Sequence, residues 1–352
     1  MKRFNLFYVL YAVVLSLSFA ACGVDDDGIS MVEDNEFTHD IAVKNPDGKT
    51  IYYNFTNNKT ELSVTYRGSS VLEYIDEYSG SITIPSSVTF NGKTYSVTSI
   101  GDEAFCRCSG LTSVIIPNSV TSIGNNAFSM CDGLTSVTIG NGVTSIGESA
   151  FWHCDCLTSV IIGNSVTSIG DHAFGYCRDL TSVIIPNSVT SIGGGAFWGC
   201  SGLTSVVIGN NVKTIGVRAF NTCRSLISVI IPNSVTTIGH FAFCGCSSLT
   251  SVTIGNRVTN LGEGAFCECS SLTSITFPKS VSSIGDHAFY NCSSLQKIIS
   301  YIQEPFKTYF YCWYNVDKTI PLYVPKGTKE NYSTMNGWKE FTNIIEMDGM
   351  MW

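Results

Sequence analysis

The chain has 352 residues, only 14% of which are charged, and its formal net charge is −8. It contains no run rich in Lys and Arg, so the basic surface with which proteins bind nucleic-acid phosphates is missing, and nucleic acid is excluded as an expected partner. This length would allow two ordinary domains, but the chain repeats itself internally, and such repetition overrides a domain count based on length.

Residues 1–21 have the pattern of a secretory signal peptide. Lys2 and Arg3 precede a short apolar stretch, which ends in small residues directly before Cys22. The segment "SFAAC" resembles the lipobox of bacterial lipoproteins, with Phe19 in place of the usual Leu. The resemblance implies that Cys22 is lipidated and becomes the mature N-terminus. The alternative is an ordinary signal peptide in which this Cys has no role.

Residues 22–40 are predicted to form the lipidated Cys and a flexible tether. The acidic sequence "GVDDDG" follows Cys22 directly and resembles the surface-export signals of lipoproteins in Gram-negative anaerobes. A solvated linker has the same polarity, and the two interpretations are compatible. No later apolar run is long enough to span a bilayer. We therefore expect an outer-membrane lipoprotein of the cell envelope that faces outward and touches the membrane only through its lipid anchor.

The chain then repeats the dipeptide Ala-Phe at a strict spacing of 23 residues. A Cys follows each of these Phe residues after three positions, and a Leu follows each Cys after three more. The nine Phe residues are Phe105, Phe128, Phe151, Phe174, Phe197, Phe220, Phe243, Phe266 and Phe289. Nine units without an insertion indicate a solenoid, in which each unit packs only against its neighbours.

One unit reads C-x-x-L-T-S-V-x-I-[PG]-N-x-V-T-S-I-G-x-x-A-F-x-x. In "LTSVxI" and "SVTSIG" apolar residues alternate with polar ones, which predicts two short strands. The Gly that closes the second segment is present in all nine units, so we expect a positive φ there. The "xxAFxxC" segment is then a turn that places Phe and Cys in the core. Stacked units would align equal residues in columns about 4.8 Å apart.

This motif resembles the BspA-like leucine-rich repeats of bacterial surface proteins over about residues 82–300. The flanking segments also resemble the entry and end units of such proteins, and Asn91-Gly92 predicts a hairpin in the entry unit. The predicted fold class is a β-rich leucine-rich repeat solenoid of nine 23-residue units, built from short parallel strands and loops, with two caps. The expected division of the chain is a signal peptide (1–21), the lipidated Cys and tether (22–40), an N-terminal β cap with a degenerate first repeat (41–97), the solenoid (98–300) and a C-terminal cap (301–352).

The sequence contains 15 cysteines, nine of which occupy one repeat position. That column indicates buried thiols that pack as small apolar groups. Four C-x-C pairs occur, but one Cys of each pair belongs to the column and points away from its partner, so no metal site is expected. Cys244 and Cys267 are the only extra cysteines at one position of consecutive units. Adjacent rungs would place their Cα atoms about 5 Å apart, within disulfide range, and the alternative is two free thiols.

The sequence contains no constellation of residues for catalysis. His172 and His287 share a repeat position but lie five units apart, so they cannot act together. The glycine run from Gly193 to Gly195 lacks the strand and helix of a nucleotide-binding loop. A filled, regular solenoid also has no pocket in which a reaction could occur. We therefore predict that the protein is not an enzyme and that it needs neither a cofactor nor a metal.

The remaining candidate for function is the surface. The position between Val and Ile of the first strand should point outward, and in five units it is a large aliphatic residue. These candidate ligand-binding residues are Ile115, Ile161, Ile184, Val207 and Ile230. They either form a partner-binding stripe or only reflect the preference of strands for β-branched residues. Three loop aromatics, Trp152, Tyr176 and Trp198, are expected to be exposed and to contact a protein or a glycan.

Two functions fit these observations. The first is a monomeric, adhesin-like lipoprotein of the cell surface, whose solenoid binds a host extracellular-matrix protein, a glycan or another cell-surface protein. The family resemblance implies adhesion to extracellular-matrix proteins. The second is a structural or spacer protein of the cell envelope without a specific ligand.

Overall fold

The structure is a computed structural model that describes residues 39–45, 48–67 and 77–348. The predicted signal peptide, Cys22 and all but the end of the predicted tether lie outside the described residues. Among the residues that are described, no helix is both long and apolar enough to cross a bilayer.

The described chain consists mainly of short β-strands joined by turns. The strands before the first complete unit are β1 Ile41–Lys44, β2 Thr50–Thr56, β3 Glu61–Thr65, β4 Gly80–Thr83, β5 Ser87–Phe90 and β6 Lys93–Ile100. The repeats contribute β7 Leu111–Ile116, β8 Ser122–Ile123, β9 Ser136–Ile139, β10 Ser145–Ile146, β11 Ser159–Ile161, β12 Ser168–Ile169, β13 Ser182–Ile184, β14 Ser191–Ile192, β15 Ser205–Val207, β16 Thr214–Ile215, β17 Ser228–Ile230, β18 Thr237–Ile238, β19 Ser251–Thr253, β20 Asn260–Leu261, β21 Ser274–Phe277 and β22 Ser283–Ile284. The C-terminal part contains β23 Lys297–Ser300, a 3-10 helix Phe310–Trp313, β24 Leu322–Val324, helix α1 Lys329–Thr334 and β25 Ile344–Glu346.

Each unit adds one rung to each of two parallel ladders. The first ladder, called the strand face, consists of β4, β7, β9 and β11, followed by β13, β15, β17, β19, β21 and β23 to β25. The second ladder continues without interruption from β6 through the two-residue strands β8 to β22. The register pairs equal repeat positions, for example Val137 with Val160 and Ile146 with Ile169. The periodicity therefore predicts the strands and their parallel pairing correctly.

An antiparallel sheet precedes the solenoid. β1, β2 and β3 form this sheet, and β3 joins it to the second ladder by pairing with β6 in parallel. β5 and β6 form the predicted hairpin, and Asn91 and Gly92 in its turn have φ values of 50° and 76°. Both values lie in the left-handed region that a two-residue hairpin turn needs. Tyr53 and Leu62 are fully buried, so this sheet closes one end of the core.

The nine repeated Phe side chains form one continuous stack inside the solenoid. Adjacent ring centroids are 4.7–5.7 Å apart, with interplanar angles of 1–12°. Trp313 continues the stack 4.9 Å from Phe289, and Trp338 and Phe341 pack against Trp313 in turn. The core is therefore a set of columns that every unit shares with its neighbours.

The column cysteines are buried thiols. From Cys131 onward each thiol lies within hydrogen-bond distance of a Phe carbonyl oxygen in the preceding unit; Cys200 Sγ, for example, lies 3.1 Å from Phe174 O. Burial raises the pKa of Cys200 and Cys246 to about 12. The thiolate that reacts with oxidants or binds metals is therefore scarce at neutral pH, as expected for cysteines that only pack.

The glycine that closes each second-ladder strand does not have the expected positive φ, so that prediction is wrong. Gly124 and Gly147 lie outside the left-handed region, but a Cβ on Gly147 would lie 2.6 Å from the backbone carbon of Gly124. Glycine is needed because successive rungs approach closely there. The left-handed residues lie two and six positions later, and most of them are not glycine. They are Glu103, Arg107, Asn126, Met130, Ser149, His153, His172, Tyr176, Gly195, Gly199, Arg218, Thr222, Phe241, Gly245, Gly264, Glu268, His287 and Asn291.

Candidate binding surface

The strand face presents a stripe of aliphatic side chains to solvent. Ile115, Ile161, Ile184, Val207 and Ile230 are between 47% and 69% exposed. Ile227, 53% exposed, extends the stripe from a position that is Thr in most units, which is why the repeat pattern did not indicate it. In the described strands of this face, no ionisable residue occupies an outward position between Thr112 and Thr276. A long uncharged apolar surface on an acidic protein is typical of an interaction site.

The rungs of the strand face are not evenly paired. β11 and β13 share no bridge, and β15–β17 and β19–β21 keep one residue pair each, whereas β13–β15 and β17–β19 keep three. We call the junction of two successive rungs open where they keep one residue pair or none, and closed where they keep three or more. Each open junction lies where a rung that is followed by Gly precedes a rung that is followed by Pro. The three junctions are Gly163 to Pro186, Gly209 to Pro232 and Gly255 to Pro278. Pro117 also ends a rung, but the rung before it ends at Pro85 and not at a Gly. These two rungs are paired.

Proline opens these junctions because it carries a Cβ. At a closed junction the Gly approaches the preceding rung so closely that a Cβ on Gly140 would lie 2.7 Å from Ile116 O. Proline carries that Cβ, so its rung cannot approach a preceding Gly rung as closely. Ile185 donates its N–H to Val207 O at 2.9 Å across a closed junction. In the described chain, the equivalent N–H of Ile208 donates no backbone hydrogen bond across an open one.

The opening leaves a groove between β15 and β17. It has a volume of about 500 Å³, and its lining includes Val207, Ile230, Pro232, Asn210 and Asn233. Across the closed junction before it, Asn210 N donates to Asn187 Oδ1 at 2.8 Å, but among the described residues no such bond joins Asn210 to Asn233. The core beneath is also more accessible, since Val206 is 8% exposed and Val183 is 2% exposed. The groove therefore interrupts the stripe at its most exposed part.

The expectation that the three loop aromatics are exposed is wrong for Trp152, which is only 4% exposed, and it holds only in part for Tyr176 and Trp198, which are half-buried. The rings pack on one another instead of pointing into solvent. The Tyr176 ring centroid lies 4.8 Å from that of Trp152 and 5.3 Å from that of Trp198. This cluster on the loop edge, the side of the "xxAFxxC" turns, therefore offers little free ring surface.

Glycines one unit later make room for these rings. A Cβ on Gly175 would overlap the Trp152 ring, and one on Gly199 would lie 2.8 Å from the Tyr176 ring. Each large ring thus covers a position of the next unit that has no side chain. A glycine exactly one repeat after an aromatic residue is visible in the sequence, and it could have shown that these rings pack within the edge.

Charged groups hold the units together beside the open junction of β11 and β13. Arg178 Nη1 donates to Asp155 Oδ2 at 2.8 Å, and Asp179 N donates to Asp155 O at 3.1 Å. His153 lies 3.3 Å from the same carboxylate, and its ring stacks on Tyr176 with centroids 4.7 Å apart. These groups contact one another across two units, so they help to hold the units together.

The cysteines outside the column differ in bonding state and in exposure. Cys244 and Cys267 are joined by a disulfide with their Cα atoms 4.5 Å apart, which links equal positions of consecutive units. Cys106 is a buried thiol, and Cys156 is an exposed one. Within the described residues, no group of three His, Cys, Asp or Glu side chains could hold a metal ion.

Comparison with known proteins places these features in a family. A family model described as "BspA type Leucine rich repeat region" matches in six copies over residues 81–204 and 195–314. The chain is 27% identical to a leucine-rich repeat protein from Bacteroides ovatus ATCC 8483, with a TM-score of 0.66 and coverage of 84% of this chain and 75% of that one. No curated protein matches the chain.

Two further solved structures are similar. A leucine-rich cell surface protein from Faecalibacterium prausnitzii A2-165 is 25% identical with a TM-score of 0.45, over 88% of this chain and 95% of that one. A leucine-rich repeat protein from T. pallidum is also 25% identical with a TM-score of 0.45, over 63% of this chain and 87% of that one.

Proposed function

Because the chain belongs to the BspA-type leucine-rich repeat family, we propose that it is an adhesin-like surface lipoprotein whose strand face binds an extracellular ligand. The observation that carries this proposal is the stripe of aliphatic side chains, which a solenoid does not need for its own packing. Of protein and glycan, protein is the better ligand for this face, because burial of apolar area without charge is typical of the centre of protein interfaces.

The groove between β15 and β17 supports the same proposal. It places Val207 and Ile230 on the walls of a depression whose rim carries the amides of Asn210 and Asn233. An apolar side chain of a partner can enter such a depression while the amides bond to the partner's backbone. Buried anchors of this kind provide most of the affinity in protein interfaces.

The surface display in this proposal depends on Cys22 and on the acidic tract that follows it. Replacing Cys22 by Ser in the full chain should abolish lipid labelling and release the protein from the membrane fraction, or leave the precursor uncleaved. Unchanged lipid labelling and membrane fractionation would contradict the lipoprotein part of the proposal.

The ligand-binding part is tested with the chain from residue 23 onward, which contains every described residue. It is titrated over immobilised extracellular-matrix proteins and mucin glycans, with a protein of similar net charge as the control. We expect saturable binding to at least one matrix protein. The absence of saturable binding on the whole panel would contradict the proposal and favour a structural or spacer role in the cell envelope.

A further inference from the structure

The loop edge ends in a degenerate rung. It cannot be recognised in the sequence from the strict repeat spacing. Phe289 N donates to Cys312 O at 3.0 Å and Asn291 N donates to Tyr314 O at 2.9 Å. Earlier units hold the next unit with the same two bonds, as Phe266 N does with Ala288 O. Residues 311–315 therefore occupy the place of another "xxAFxxC" turn, although their step along the chain is one residue longer than the repeat.

This rung places two tyrosines against aromatic side chains of the last complete unit. Tyr311 stacks on His287 with ring centroids 5.1 Å apart, and Tyr314 stacks on Tyr290 at 4.9 Å. The two side chains are 46% and 48% exposed, in contrast to the buried Trp152 in the middle of the same edge. We call Tyr311 and Tyr314 the terminal tyrosine pair.

We propose that the terminal tyrosine pair binds the pyranose rings of a glycan. The face of an aromatic ring is electron-rich, and the C–H groups of a pyranose carry a small positive charge, so a sugar ring can stack on an exposed tyrosine. The two tyrosine rings have centroids 6.3 Å apart and are tilted by 54°. Two neighbouring sugar residues, which are turned relative to each other, can each cover one ring.

The surroundings of the pair also suit a sugar. Asn315 is exposed directly after Tyr314. Its amide offers a hydrogen-bond donor and an acceptor next to the Tyr314 ring. A pyranose needs both features at once, whereas an apolar peptide segment would leave the polar groups without use.

This site is separate from the strand face, because it lies on the turns that follow the second ladder. The strand-face variant Ile230→Glu should therefore leave glycan binding unchanged. For the same reason, the failure of a matrix protein to bind the strand face would not remove glycan binding at the terminal tyrosine pair, and the two proposals can fail independently.

The test uses the chain from residue 23 onward on a glycan microarray, followed by titration of the best-bound oligosaccharide. Replacing both tyrosines by Ala should lower the affinity about tenfold or more, while replacing both by Phe should change it less than about threefold, because stacking needs the ring and not the hydroxyl. Circular dichroism checks that each variant is folded, and the single variant Tyr314→Ala, expected to weaken binding by itself, replaces the double variant if that one unfolds.

Three results would overturn the proposal. The first is a wild-type chain that binds no glycan on the array. The second is equal binding by the wild type and the Ala variant. The third is a loss of binding with the Phe variant as large as with the Ala variant.

Discussion

Gly193 and Gly194 are neighbours in the chain, but only the first is required by the stacking of the units. A Cβ on Gly193 would lie 2.6 Å from the backbone carbon of Gly170, whereas a Cβ on Gly194 would come no closer than 3.4 Å, to Val217 O. All nine units have glycine at the first position because successive rungs approach there too closely for any side chain.

This difference predicts opposite results for two adjacent substitutions. Gly193→Ala should lower the free energy of unfolding by more than about 2 kcal/mol, and Gly194→Ala should change it by less than about 0.5 kcal/mol. Chemical denaturation of the two variants beside the wild type measures both. Equal losses would show that the close approach of the rungs is not what the glycine provides.

The Phe stack predicts that the truncation of one Phe side chain destabilises the fold strongly. Phe197 lies 5.3 Å from Phe174 and 5.2 Å from Phe220, and because both neighbours are held in their own rungs they cannot close the gap. Phe197→Ala should therefore lower the free energy of unfolding by about 3–5 kcal/mol. The control is Val207→Thr on the exposed stripe, which should lower the free energy of unfolding by less than about 0.5 kcal/mol. Thermal melts that shift equally for both variants would contradict the assignment of inward and outward positions.

At the level of the strands, the residues that end two successive rungs together decide whether the rungs close. A rung that ends in Gly can approach its predecessor and bond to it, while a rung that ends in Pro after a Gly rung cannot, as the β15–β17 junction illustrates. The sequence therefore divides the strand face, whereas the second ladder, in which a Gly follows the strand of every unit, is continuous.

Hydrogen exchange should reveal these open junctions. The amides of Ile162, Ile208 and Ile254, which lie at the open junctions, should exchange faster than those of Ile185 and Ile231, which donate across closed ones at 2.9 Å. In the variant Pro232→Gly, which removes the Cβ, the amide of Ile208 should become protected. Uniform exchange along the strand face, or no response to this variant, would be evidence against the proline mechanism.

The rung-to-rung disulfide predicts a specific thiol count. When the purified protein is unfolded and alkylated without reductant, peptides that contain Cys244 and Cys267 should stay unmodified at these two residues and react only after reduction. Cys246 and Cys269, one turn away in the buried column, are the matched controls and should be alkylated in both cases. Free alkylation of all four would mean that the pair consists of two thiols.

The repeat pattern predicted the features that depend on residues within one unit, and it missed those that depend on a pair of residues in two successive units. Val137 and Phe197 could be placed in the core because the alternation within a strand and the period of the units are local signals. The burial of Trp152 depends on Gly175, and the opening at Pro232 depends on Gly209, and both partners are one full repeat away. The rung that contains Tyr314 was missed because its step breaks the period.

At the scale of the whole molecule, the columns and the surface have different tasks. The Phe and Cys columns are shared by all units and give stability that accumulates from rung to rung. The strand face differs from the rest of this acidic protein in having an uncharged aliphatic stripe, and its exposed side chains contribute little to folding. The central claim is that this face is where the protein binds its extracellular partner.

The most direct test of that claim is the affinity of Ile230→Glu for the matrix protein that the wild-type chain binds best. Ile230 is 69% exposed and lines the groove, so the substitution should leave the melting temperature unchanged and weaken binding about tenfold or more, because it places a charge in an apolar interface. The matched control is Val217→Glu, an exposed aliphatic residue on the loop edge, which should bind as the wild type does. An unchanged affinity for Ile230→Glu, or an equal loss with the control, would contradict the claim.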